Sequence, residues 1–224
     1  LTDAIENPSR IDGLFIELAM VRANDKLCVL SAEAPINQPM LSDGSAYFQL
    51  QEEIRHAFEG AVIDLPRHML VQFPHLAGDV QVVIVVVEFT LAATRDAIRV
   101  LSWLKANAPQ AKVIVVANKC LPAGQEVTRK DFEHSIERKV DVILPFDAKS
   151  ATQAAKLGQP LAKATKSAKL SQPLNQLLAL TLEQGAEDEA AETGKSSGGS
   201  LLGKLGNFKS LVAKKPKEAS AQAA

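Results

Sequence analysis

Gly60-Ala61-Val62-Ile63-Asp64-Leu65-Pro66 is a short apolar run that ends in one carboxylate and is stopped by a proline. A run this apolar suits a strand covered on both faces, as in a parallel sheet flanked by helices. Such a strand would carry Asp64 at its carboxyl end, the edge of an open α/β sheet where ligands bind. A carboxylate there can hold a magnesium-bound water beside a phosphate, because magnesium prefers hard oxygen ligands and keeps several waters. Asp64 could instead do no more than cap the helix that follows.

Outward from this stretch, strands and helices alternate. Lys26–Ser31 is a strand candidate, followed by a loop with two prolines. Ser42 or Asp43 opens an amphipathic helix to about Phe58, with Phe48, Leu50, Ile54 and Phe58 facing inward. After the Asp64 strand, His68–Gly78 reads as a short helix and Val80–Val87, β-branched almost throughout, as a fully buried central strand. Thr90 caps a helix to Asn107 that lines Ile98, Leu101 and Leu104 on one face. Lys112–Ala117 is another buried strand, Thr128 caps a helix to Arg138, and Val140–Leu144 is a strand closed by Pro145. Lys149–Leu157 and Leu170–Glu183 are closing helices. Upstream, two short helical patterns break at Asn7-Pro8-Ser9, the second opened by Pro8 or Ser9 and presenting Ile11, Leu14, Phe15 and Leu18. The repeated alternation predicts an α/β domain: a mainly parallel sheet flanked by helices on both faces, in three layers.

The totals agree with one domain plus appendages in 224 residues. A formal net charge of -1 supplies no global field for nucleic acid, and no specific nucleic-acid partner is expected. Cys28 and Cys120 form no metal or redox motif and read as buried thiols in a reducing compartment. His56, His68, His75 and His134 lack zinc-like spacing. No apolar run is long enough to span a bilayer. The first residue is Leu1, and the opening reads like a domain interior, so a fragment or processed product is expected.

Composition changes after Gln184. Residues 1–184 form the domain, and 185–200, rich in Glu, Ala, Gly and Ser, read as a flexible linker. Residues 201–217 place Leu201, Leu202, Leu205, Phe208, Leu211 and Val212 on one helical face among lysines, and 218–224 read as a disordered end. Three readings of this basic segment stay open: a membrane-surface helix, a helix that docks on a partner, and a solvated tail.

The order of signals resembles the deviant-Walker ATPases of the ParA/MinD type, and among them the pilus-assembly branch called CpaE or TadZ. The opening segment through Ser31 resembles that branch's two short helices leading into a strand. AVIDLPRH (61–68) resembles its second acidic strand, VVIVVVEFTLAATRDAIRVLSWLK (82–105) the next strand and helix, and VIVVANK (113–119) the strand ending in a base-contacting Asn. VILPFDAKSATQAAKLGQPL (142–161) resembles the strand ending in Pro-x-Asp, with its helix and Gly-x-Pro-Leu turn. The likeness covers roughly residues 1–182.

The resemblance implies ATP and Mg2+ as cofactors. It makes Asp64 the acidic residue near magnesium and the attacking water, and Asn118 the residue that reaches the adenine edge. Pro145 and Asp147 would border the base pocket, Arg67 would lie in the switch segment after Asp64, and Arg95 and Asp96 would lie near a dimer or effector face. It implies a homodimer closed by nucleotide, with pilus and secretion components as partners. It also implies a cytoplasmic location, at a cell pole or peripheral to the inner membrane through 201–217.

One departure is large. A phosphate cradle needs successive backbone N–H groups at a helix start, with glycines to let the backbone approach. No lysine-bearing Gly-rich loop of that kind occurs in the chain, and Gly194-Lys195-Ser196 falls in the linker with no strand before it. The loop is expected upstream, and the chain by itself is not expected to hydrolyse ATP. Asn118-Lys119 resembles the start of a guanine-reading Asn-Lys-x-Asp, but its fourth position is Leu121, which removes the carboxylate guanine needs. Two alternatives remain: a chromosome-partitioning or division-site ATPase of the same superfamily, and a nucleotide-free α/β scaffold.

Overall fold

The computed structural model describes residues 5, 8–31, 44–164 and 168–192. Asp12 accepts from the Phe15 N–H at 2.8 Å and so caps helix α1 (Gly13–Ala19). The cap is therefore neither Pro8 nor Ser9, which lie in a separate 3-10 turn (Pro8–Arg10). Ile16 is buried, while Leu14 and Leu18 are exposed, against expectation.

Strands β1 (Val21–Asn24) and β2 (Leu27–Val29) form an antiparallel hairpin. The Asn24 side chain accepts from the Lys26 N–H at 2.8 Å, an Asx-type turn that reverses the chain. The expected first strand of the parallel sheet is thus half of a two-stranded ribbon, and Cys28 is exposed on it.

Helix α2 (Ser45–Ala57) follows Gly44, whose φ of +92° suits a residue without a Cβ; a Cβ there would meet the Phe73 ring at 2.7 Å. Ala46 is buried with Ile5 and Ile11, and Phe15, Tyr47 and Leu50 pack around them. Phe48 and Phe58, expected inside, are exposed.

Gly60–Pro66 forms no strand. Asp64 is exposed and Val62 is 97% exposed. An extended segment becomes a strand only when neighbours take its N–H and C=O groups, and this one belongs to neither described sheet. Helix α3 (Arg67–Gln72) and a 3-10 turn (Pro74–Ala77) follow.

Strand β3 (Val82–Val87) leads to helix α4 (Leu91–Asn107), then to strand β4 (Lys112–Cys120). Thr90 caps α4 through its hydroxyl, which accepts from the Ala93 N–H at 3.1 Å. Next come helix α5 (Arg129–Ser135), capped by Thr128, strand β5 (Val142–Pro145) and helix α6 (Ala148–Leu157). Helices α7 (Leu161–Ala164) and α8 (Ala168–Glu192) close the described chain. α8 runs on to Glu192, into the stretch read as linker, while residues 201–217 and 218–224 lie outside the described residues.

Among the described residues the parallel sheet has three strands, in the order β3-β4-β5, and the fold is α/β. Among the described residues β3 ends that order rather than sitting at its centre, and Val86 is 60% exposed.

The chain divides into two compact units, 1–113 with 125–139, and 114–124 with 140–224. In the first, Leu104, Ala77 and Ala108 are buried, with Val83, Val85, Val100 and Trp103 packed around them. Burying each large aliphatic side chain contributes about 1.5–3 kcal/mol. Phe132 is fully buried and meets Phe89 edge-on at 5.3 Å.

In the second unit, Val116 stands opposite Val142 and Ala117 opposite Ile143 in parallel register. Asp141 binds this pair together: its carboxylate accepts from the Val115 N–H at 2.7 Å, and its own N–H donates to the Val115 carbonyl at 2.9 Å. Its carbonyl accepts from Gln176 Nε2 of α8 at 3.1 Å.

Candidate functional site

The second unit brings three of the expected site residues to one edge. β4 and β5 run parallel, so their carboxyl ends coincide, and Cys120 stands opposite Pro145. The register shifts between Ala117 and Cys120, and the two residues inside that irregularity are Asn118 and Lys119. Lys119 has φ of +52°, a left-handed conformation rare for a residue with a side chain. Such strain clusters where a structure over-determines its backbone for function. Asn118 Oδ1 accepts from the Lys119 N–H at 2.8 Å, which fixes the plane of the amide. The Cys120 thiol, buried as expected, donates to the Asn118 carbonyl at 3.8 Å.

Beyond Pro145 the chain stays tied to β4, because the Phe146 N–H donates to the Cys120 carbonyl at 2.9 Å. Asp147 then caps α6. One carboxylate oxygen accepts from the Ser150 N–H at 3.0 Å and the other from the Ser150 hydroxyl at 2.7 Å. The Ser150 N–H first, then its hydroxyl, hold the Asp147 carboxyl below the ordinary carboxylate range. Asp147 is therefore a helix cap that also borders the edge where Asn118 lies. Ser150 was missed, although Asp-x-x-Ser before a helical pattern is a legible capping signal.

Asp64 and Arg67 belong to the first unit. Asp64 stands exposed in the irregular stretch before α3. Arg67, the first residue of α3, makes an ion pair with Asp96 of α4. No sequence signal links these two residues, which lie far apart along the chain. The contact gives Asp96 a defined partner and leaves Arg95 without an assigned role. Among the described residues no three His, Cys, Asp or Glu side chains group to hold a metal. None of the helices described is long and apolar enough to cross a membrane.

No family profile matches the chain, and no curated protein sequence matches it either. Solved structures do match. A ParA family ATPase from Chlorobium tepidum TLS superposes with a TM-score of 0.64 at 18% identity, covering 81% of this chain and 74% of its own. The MinD cell division protein of Aquifex aeolicus gives a TM-score of 0.57 at 18% identity, with 79% and 78% covered. The same organism's MinC:MinD cell division protein complex gives 0.56 at 18% identity, with 80% and 77% covered. The chain thus shares its fold with ParA- and MinD-type ATPases.

Of the nucleotide and magnesium expected from the sequence, the second unit's residues suit the base. Asn118 offers an amide at the strands' carboxyl edge, where a base edge can be read. Magnesium can be served by one carboxylate together with waters and phosphates, and Asp64 is an exposed carboxylate of the first unit. No described loop cradles phosphate.

Proposed function

We propose that this chain is the ATPase-like part of a CpaE/TadZ-like protein. ATP would close two copies face to face, and the closed dimer would recruit components that assemble type IVb (Flp/Tad) pili. One observation carries the reading. In a fold shared with ParA and MinD ATPases, Asn118 and the Pro145-Phe146-Asp147 turn meet at the carboxyl edge of a parallel strand pair.

Magnesium bound with ATP would neutralise charge on the phosphates. Asn118 would present its amide to the adenine edge, and Pro145 and Asp147 would border the base. Asp64 would orient a water near the metal. Arg67, in the segment after Asp64, would report that segment's position through Asp96. No residue of this sequence is assigned to the phosphate grip, because no lysine-bearing Gly-rich loop occurs in it. The protein would work in the cytoplasm, at a cell pole or on the inner membrane face, with residues 201–217 as its membrane or partner contact.

The test is ATP affinity of the full-length protein with and without magnesium, in wild type and Asp64→Ala. A loss of roughly tenfold or more in the magnesium-dependent part is expected. Undiminished affinity in the variant removes Asp64 from the site.

A second reading is a division-site or partitioning ATPase, favoured by the MinD and MinC:MinD matches. Deleting 201–217 and sedimenting the protein with anionic liposomes separates the two. Binding through 201–217 that appears only with ATP supports a membrane-cycling ATPase, and binding that is the same with and without ATP, or absent, supports the pilus reading.

A further inference from the structure

Phe146 is absent from every role given so far, yet its setting is unusual. The residue is 52% exposed, while its backbone is held on both sides. Pro145 before it is the last residue of β5, and Asp147 after it is the cap of α6. Its own N–H is bonded to the Cys120 carbonyl at 2.9 Å. A fixed backbone limits the ring to its side-chain torsions, so the exposed face is presented at low entropic cost. A lone exposed apolar residue needs no explanation. This one stands beside the strained Asn118-Lys119 irregularity, at the edge where the amide lies.

An exposed aromatic side chain whose backbone is tied to the strand that carries the Asn118 amide suits a flat heteroaromatic ligand: a ring can stack on it, and an amide can meet the donor–acceptor edge. We propose that Phe146 stacks on the purine of a bound nucleotide and supplies most of the base-dependent affinity at this edge. The inference rests on the nucleotide reading above and names the residue that would grip the base.

Stacking is insensitive to which base is present, because every base has a π-face. Removing the ring should therefore weaken all nucleoside triphosphates alike and leave a base-free polyphosphate untouched. The experiment measures binding of MgATP, MgGTP and magnesium tripolyphosphate to the full-length protein by calorimetry. It compares wild type with Phe146→Ala, Phe146→Leu and Phe146→Tyr. Phe146→Ala should lose roughly 5- to 100-fold for both nucleotides and Phe146→Leu nearly as much, while Phe146→Tyr stays near wild type. Tripolyphosphate binding should be the same in all four, which also excludes a folding defect. Phe146→Leu with full ATP affinity overturns this proposal alone. A parallel loss of tripolyphosphate binding overturns it too, because the ring's role would then be structural. Wild-type protein that binds no nucleotide overturns the nucleotide reading and this inference with it.

Discussion

Val82–Val87 and Gly60–Pro66 are both short, aliphatic and valine-bearing, and both lie in the first compact unit. The first is a strand with Val83 and Val85 packed around Leu104; the second carries Val62 at 97% exposure and Asp64 in the open. Hydrophobicity does not separate them. What separates them is company, because β3 belongs to a sheet and packs against α4, and Gly60–Pro66 belongs to no sheet. Strand propensity measures fit to a neighbouring surface rather than an intrinsic backbone preference.

The largest effect should come from the strand side of this contrast. Leu104 is 1% exposed, and Leu104→Ala should lower unfolding free energy by about 2–5 kcal/mol in a urea titration. Val62→Ala should stay within about 0.5 kcal/mol. Comparable losses from both would mean that Gly60–Pro66 is packed in solution, and the contrast would fail.

A smaller effect tests the helix that β3 feeds. Thr90→Ala removes the hydroxyl that accepts from Ala93 and should cost about 1 kcal/mol, with Thr90→Ser close to wild type.

The third test turns on acid. The Ser150 N–H, and after it the Ser150 hydroxyl, hold the folded Asp147 carboxyl below the ordinary carboxylate range. A depressed folded pKa contributes stability that is fully present above the unfolded value and is lost as pH falls through the folded one. The melting-temperature gap between wild type and Asp147→Ala should therefore be widest near neutral pH and shrink below the ordinary carboxylate range. A gap that is constant with pH would show that the charged cap is not what the variant removes.

The smallest effect belongs to the tie between the two helices that follow the contrasted stretches. Arg67 and Asp96 are both substantially exposed, so solvent screens their pair. A double-mutant cycle with Arg67→Ala and Asp96→Ala should give a coupling below about 1 kcal/mol, falling further in salt.

The parallel strands, the Thr90 and Thr128 caps and the α/β class were legible because period, β-branching and capping chemistry are local. Pro145 was legible as a strand end for the same reason, whereas β4 runs past Asn118 to Cys120 and Asp147 caps α6. The hairpin was missed although Asn24-Asp25 carries a turn signal, because the apolar run after it was read alone. Phe48 and Leu18 were misplaced because an amphipathic stripe says which residues share a face, not whether that face meets anything. The Lys119 conformation, the Arg67–Asp96 pair and the exposure of Phe146 depend on where distant backbone passes, and no local pattern encodes that.

Asp141 has a practical consequence. One residue serves β4 with its carboxylate and N–H and α8 with its carbonyl, through Gln176. Shortening the polypeptide ahead of Gln176 would hand that carbonyl to water and strip the cover that α8 lays against β5. A trimmed version made for crystallisation or spectroscopy should therefore end beyond Glu183, or the nearby Asn118 rim will be studied on a loosened floor.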